Sequence, residues 1–115
     1  MKFMMKLLIF EAEPHFGRGI VQLLERVSGG LSLNAAAAEM GMSYTKARRL
    51  LKSAEADLGV KLLEPHRGGA EREGSVLTEQ GRQLLAAYQG FDREARQAVA
   101  DVFARWFPEE KPSGK

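Results

Sequence analysis

Two helical patterns meet at Gly41 with only its immediate neighbours between them. The stretch AAAAEMGMSYTKARRLLKSAEADLG, Ala35 to Gly59, leaves no room for a strand or a long loop, so one helix must turn sharply into the next. Ser32 stands where an N-cap belongs, and a helix follows it to about Met40. A serine oxygen there accepts an otherwise unpaired N–H of the first turn. The alanines Ala35 to Ala38 favour helix, and their small side chains let a neighbour approach closely. Gly41 supplies the left-handed residue that ends the helix. Ser43 caps the next helix, which continues to about Leu58, and Gly59 ends it. Helix, tight turn, helix over residues 32–58 is the sequence form of a helix-turn-helix.

The second of these helices is amphipathic. Ala47, Leu50, Leu51, Ala54 and Leu58 form one apolar stripe. Thr45, Arg49 and Lys52 lie nearly opposite, with Lys46 and Arg48 on the flanks and Tyr44 at the edge of the apolar face. A basic, hydroxyl-bearing helix suits the major groove, where first-turn residues reach base edges and cations engage phosphates. Ser43 and Tyr44 are candidate phosphate or edge contacts, and Thr45, Lys46, Arg48 and Arg49 candidate groove contacts. Lys52 is a candidate phosphate ligand. The bland alternative is a solvated helix face, which basic residues on an exposed helix usually make.

The segment after Gly59 favours the DNA-binding reading. VKLLEP (Val60 to Pro65) and SVLT (Ser75 to Thr78) read as two short strands around a turn-rich tip, HRGGAEREG. Strands over 60–78, directly after such a helix, make a wing, whose tip can lay arginine along phosphates or in a minor groove. Arg67 and Arg72 are the candidates, with His66 and the Gly68–Gly69 backbone nearby. Glu71 and Glu73 would oppose phosphate there, so Arg67 is the stronger of the two.

The flanks are more apolar. Residues 2–11 read as a strand, with Phe3, Met5, Leu7 and Ile9 on one face and Met4, Leu8 and Phe10 on the other. A strand apolar on both faces must be covered or paired with another chain. A helix comes next, from about Arg18 to Val27, burying Ile20, Leu23, Leu24 and Val27, and Gly29-Gly30 stops it. Thr78 caps a long last helix to about Phe107. Leu84, Tyr88, Phe91, Ala95, Ala98 and Val102 repeat at heptad spacing, and Val99, Phe103, Trp106 and Phe107 widen the apolar surface. Dimerisation through Leu7, Ile9, Leu84, Tyr88, Phe91, Ala95, Val99 and Val102 is the expectation; the alternative is that this helix folds back onto its own domain. Residues 1–107 then form one domain, with the last helix over 79–107 and a polar tail over 108–115.

Charge supports the placement. The net charge is only +2, but residues 32–62 hold five basic and three acidic side chains, and residues 79–110 hold four and six. A composition 44% hydrophobic and 28% charged is globular rather than disordered. With no cysteine, disulfides and cysteine zinc sites are excluded. MKFMMKLLIF is interrupted by Lys6 and has no small-residue cleavage site after it, so a strand is favoured over a secretory signal. No run approaches the ~18 apolar residues of a membrane span. A cytoplasmic protein with no membrane contact is expected. His15 and His66 lie in different loops, and no zinc-protease, P-loop or nucleophile-elbow motif occurs. No enzyme activity, metal, cofactor or small-molecule ligand is expected.

The order of elements resembles the N-terminal DNA-binding domain of the molybdate-responsive regulator ModE, and more distantly the winged helix of LysR-type regulators. The matching stretches are FGRGIVQLLERV, GGLSLNAAAAEMGMSYTKARRLL, LGVKLLEPHRGG and GSVLTEQGRQLLAAYQGF, within residues 16–91. The resemblance implies a winged helix-turn-helix with an added N-terminal strand, dimerised by that strand and the last helix. This chain has Ile20 where the ModE pattern commonly has arginine, Arg48 where a tryptophan is common, and AEREG where the wing is usually richer in glycine. The oxyanion-binding domain of those regulators has no counterpart in this sequence, so molybdate sensing is not expected. The expectation is a mainly α fold with a small β component: a homodimeric regulator of transcription, ModE-like without the molybdate domain, that binds double-stranded DNA at a roughly palindromic operator. The alternative is a protein-interaction module that uses the same fold without DNA.

Overall fold

Serine and threonine hydroxyls set where three of the four helices begin. The computed structural model describes residues 1–65 and 75–109. Its helices are α1 (Arg18–Ser28), α2 (Leu33–Glu39), α3 (Tyr44–Leu58) and α4 (Glu79–Trp106). Ser32 Oγ accepts Ala35 N–H, Ser43 Oγ accepts Lys46 N–H, each at 3.0 Å, and Thr78 Oγ1 accepts Gly81 N–H at 2.8 Å. Gly41 and Gly59 both sit at φ +73°, the left-handed conformation that closes α2 and α3. All four helices match the sequence expectation to within a residue or so at either end.

The core is where α1, α2 and α3 converge. Leu23 and Leu24 of α1, Ala36 and Ala37 of α2, and Ala47 and Ala54 of α3 are completely buried. Alanine against alanine lets α2 and α3 pack closely across the Gly41 turn. Leu62, also fully buried, carries the chain from α3 into the wing.

The wing is one antiparallel ladder, β1 (Leu63–Pro65) with β2 (Ser75–Leu77), pairing Leu63 with Leu77 and Pro65 with Ser75. Its base is fastened by Thr78, whose N–H donates to the Leu62 carbonyl at 2.9 Å and whose hydroxyl donates to the Lys61 carbonyl at 2.6 Å. A Cβ at Gly81 would collide with the Leu62 carbonyl oxygen, so only glycine lets α4 start this close to the wing. The first strand is shorter than the sequence suggests, because the Leu62 N–H donates to Glu55 of α3 and the regular ladder starts only at Leu63.

The N-terminal arm departs from expectation. Residues 2–11 form no strand; among the described residues the arm's one β contact is an isolated antiparallel bridge between Ile9 and Phe16. Among the described residues no second strand lies alongside to complete a ladder. The arm instead packs sideways. Leu7 and Ile9 lean on the core, and Phe3 meets Phe103 of α4 with ring centroids 5.0 Å apart. Tyr88 donates its hydroxyl to the Leu7 carbonyl at 2.7 Å, and Arg96 Nη2 donates to the Met5 carbonyl at 3.2 Å.

Candidate nucleic-acid interface

Helix α3 turns its apolar side towards the core, which leaves its cations on the outside. Ala47, Leu51 and Ala54 are buried, while Thr45, Lys46, Arg48, Arg49 and Lys52 are exposed. Ser43 is exposed as the N-cap, and Tyr44 is 43% exposed, large for an aromatic ring in a small domain. Among the described residues Lys46, Arg48 and Arg49 enter no ion pair, and Lys52 has only Glu55 at 4.0 Å. The structure therefore brings the seven candidates on α3 and its cap to one solvent-facing surface. Arg67 and Arg72, with His66, lie outside the described residues.

The acids of α3 are engaged elsewhere. Glu55 Oε2 accepts the Leu62 N–H at 2.7 Å and the Leu63 N–H at 3.4 Å, tying the wing base to the helix. Asp57 accepts three backbone N–H groups, from Glu11, Ala12 and Glu13, each at 2.8 Å. The Glu11 N–H above all holds the Asp57 carboxyl below its ordinary value, with Ala12, Glu13 and nearby His15 acting in the same direction against desolvation. A carboxylate near a helix C-terminus faces the negative end of the dipole. The three donors offset that cost. Negative charge is thus confined to the last turns, and the first turns stay cationic.

One residue escaped the sequence reading. Lys61, exposed between α3 and β1, shares a recess of about 190 Å³ with Arg48 and Lys52, which Glu55 and Glu64 also line. Its cation extends the basic surface of α3 towards the wing. The charge count over residues 32–62 already included it, but as part of an expected strand it carried no role.

The residues expected at a dimer contact divide. Tyr88 is only 5% exposed and packs edge-on to Phe16, centroids 5.6 Å apart, inside its own domain. Burial, then the Asp92 charge, pushes the Tyr88 phenol above its ordinary pKa. Leu7, Ile9 and Leu84 are half-buried against the same core. Ala95 and Val99 are half-buried, whereas Phe91 and Val102 stay exposed at 50% and 42%. The first turns of α4 fold back onto the domain, and the rest keeps an open apolar stripe.

A short helix, a tight glycine turn, an amphipathic basic helix and a two-stranded ladder behind it define a winged helix-turn-helix, a class built to dock one helix in DNA. Residues 20–82, more than half of the chain, match the bacterial regulatory helix-turn-helix proteins of the lysR family, and the chain belongs to that family. The match runs from α1 through the wing into the start of α4, so it contains the whole of α3 and its cap. It marks residues 20–82 as a helix-turn-helix domain of the kind that DNA-binding regulators carry. No curated protein matches the chain. Among the described residues no helix is long and apolar enough to cross a membrane.

Proposed function

We propose that the chain is a homodimeric, sequence-specific regulator of transcription that sets α3 into the major groove of double-stranded DNA. The observation that carries this reading is the exposed cationic surface of Lys46, Arg48 and Arg49 directly after the Gly41 turn, which enters no ion pair among the described residues. In this reading Thr45, Lys46, Arg48 and Arg49 meet base edges, and Ser43, Tyr44, Lys52 and Lys61 meet phosphates. Arg67 and Arg72 of the wing tip reach phosphates or the minor groove beside them. Two copies related by a two-fold axis would enter grooves about 34 Å apart, which makes the operator roughly palindromic.

The dimer reading is supported by apolar surface that one chain leaves open: Phe91, Val102 and Trp106 along α4, and Leu8 and Phe10 of the arm. A helix of 28 residues is about 42 Å long, more than one small domain can cover. The likeness to ModE enters as architecture only, an arm and a long helix flanking the winged domain. Molybdate sensing is no part of the proposal.

The test is a fluorescence-anisotropy titration of a labelled random duplex from about 50 to 200 mM salt. Neutralising Z phosphates gives log K against log[salt] a slope of about −0.9Z. Steeply salt-dependent binding is expected. Negligible affinity at the lowest salt would replace this reading with a protein-interaction module.

A further inference from the structure

A cavity of about 540 Å³ opens between the arm, the start of α1, α3 and α4. Its volume falls within the roughly 300–1,000 Å³ of small-molecule sites. Met4, Leu7 and Leu8 of the arm and Leu50 of α3 supply apolar lining. Arg18, Arg96, Lys6 and His15 also line it, and no aspartate or glutamate does. Apolar walls with basic groups and no acid form the complement of an anion that carries an apolar body.

The cations are not equivalent. Arg96 is occupied, with Nε on Asp92 at 2.9 Å and Nη2 on the Met5 carbonyl. Arg18 is exposed and, among the described residues, enters no ion pair. It stands in the first turn of α1, which has no side-chain cap and no acid of its own. A planar guanidinium with unused donors takes a carboxylate through two parallel hydrogen bonds.

We propose that this cavity is an effector site for a small monocarboxylic acid with an aromatic or short aliphatic body. Arg18 holds the carboxylate, and the arm and Leu50 cover the apolar part. The walls belong to four segments at once, so an occupant links the recognition helix, through Leu50, to Tyr88 and Arg96 of α4. Binding of the acid stands apart from the DNA-binding reading; only its effect on DNA affinity rests on it.

The experiment is calorimetric titration of the full chain with benzoate and hexanoate, each against its alcohol, benzyl alcohol or hexanol. At least one acid is expected to bind saturably, and about tenfold or more tightly than its alcohol. Arg18→Gln should remove that preference and leave the alcohol's affinity and the melting temperature unchanged. Leu50→Phe, which narrows the cavity, should weaken acid and alcohol alike. Absence of binding by both acids at about 5 mM overturns the proposal, as does equal affinity for acid and alcohol or an Arg18→Gln chain that binds as before. If neither acid binds and hydrogen exchange protects residues 4–8 only at high protein concentration, a second copy of the chain occupies the cavity and the proposal fails. Once acid binding is shown, a parallel DNA titration with and without acid reads the coupling by itself.

Discussion

The Asp57 carboxylate, in the last turn of α3, accepts the backbone N–H of Ala12 at 2.8 Å. Glu11 and Glu13 donate to the same side chain, so a single residue pins the loop after the arm to α3. The arm itself has one isolated bridge, which makes this clasp the main polar tie between the two.

Asp57→Asn should loosen the clasp, because a neutral amide accepts these N–H groups less strongly and has one oxygen instead of two. The carboxyl is held below its ordinary value of 3.8 when folded. Its contribution is therefore complete above that value and is lost as pH falls through the lower, folded value. Urea melts at pH 7 should show the variant less stable than the parent, and the gap should close as pH drops below about 4. A gap independent of pH would show that the charge is not what holds the loop.

Thr78 and Gly81 join the wing to α4. Thr78→Ala removes an N-cap and a hydrogen bond to the Lys61 carbonyl, and should cost about 1–2 kcal/mol. Gly81→Ala drives a methyl group into the Leu62 carbonyl, which is backbone and yields little, and should cost about 1–3 kcal/mol. Chemical denaturation measures both.

Arg49→Ala should weaken specific DNA binding by about 1–3 kcal/mol and relax discrimination at one base position. Lys61→Ala should instead weaken binding to all sequences about equally and lower the salt slope by about one. Anisotropy titrations on a selected and a random duplex separate the two roles.

Val102→Asp places a charge on the open stripe of α4 at a residue already 42% exposed, so the domain should keep its stability. Dimerisation should weaken by about 1.5–3 kcal/mol if Val102 is buried between copies. Sedimentation velocity across a dilution series measures the shift, and an unchanged dimer would remove this stripe from the interface.

The sequence by itself determined the four helices, the glycine turn and the cationic face of α3. Each depends on residues a few positions apart: a hydroxyl before a first turn, a glycine after a last one, a 3.6-residue period. The wing strands were legible in place but not in length: the first begins at Leu63 rather than Val60, and the second ends at Leu77 rather than Thr78. Tertiary structure decided the rest. Tyr88 fits a heptad stripe as well as Phe91 does, yet Tyr88 is buried against Phe16 and bonded to Leu7, 81 residues away, while Phe91 faces solvent. The apolar pattern of residues 2–11 could not reveal that none of the described residues supplies a strand to pair with it. Asp57 resembled any solvated helix acid until three N–H groups from a distant loop met it. The cavity beside Arg18 exists only because arm, α1, α3 and α4 converge there. Local signals specify elements because their interactions close within a turn or two. Cavities, clasps and the division of one helix face between core and solvent depend on which distant segments meet, and no periodicity in the chain encodes that.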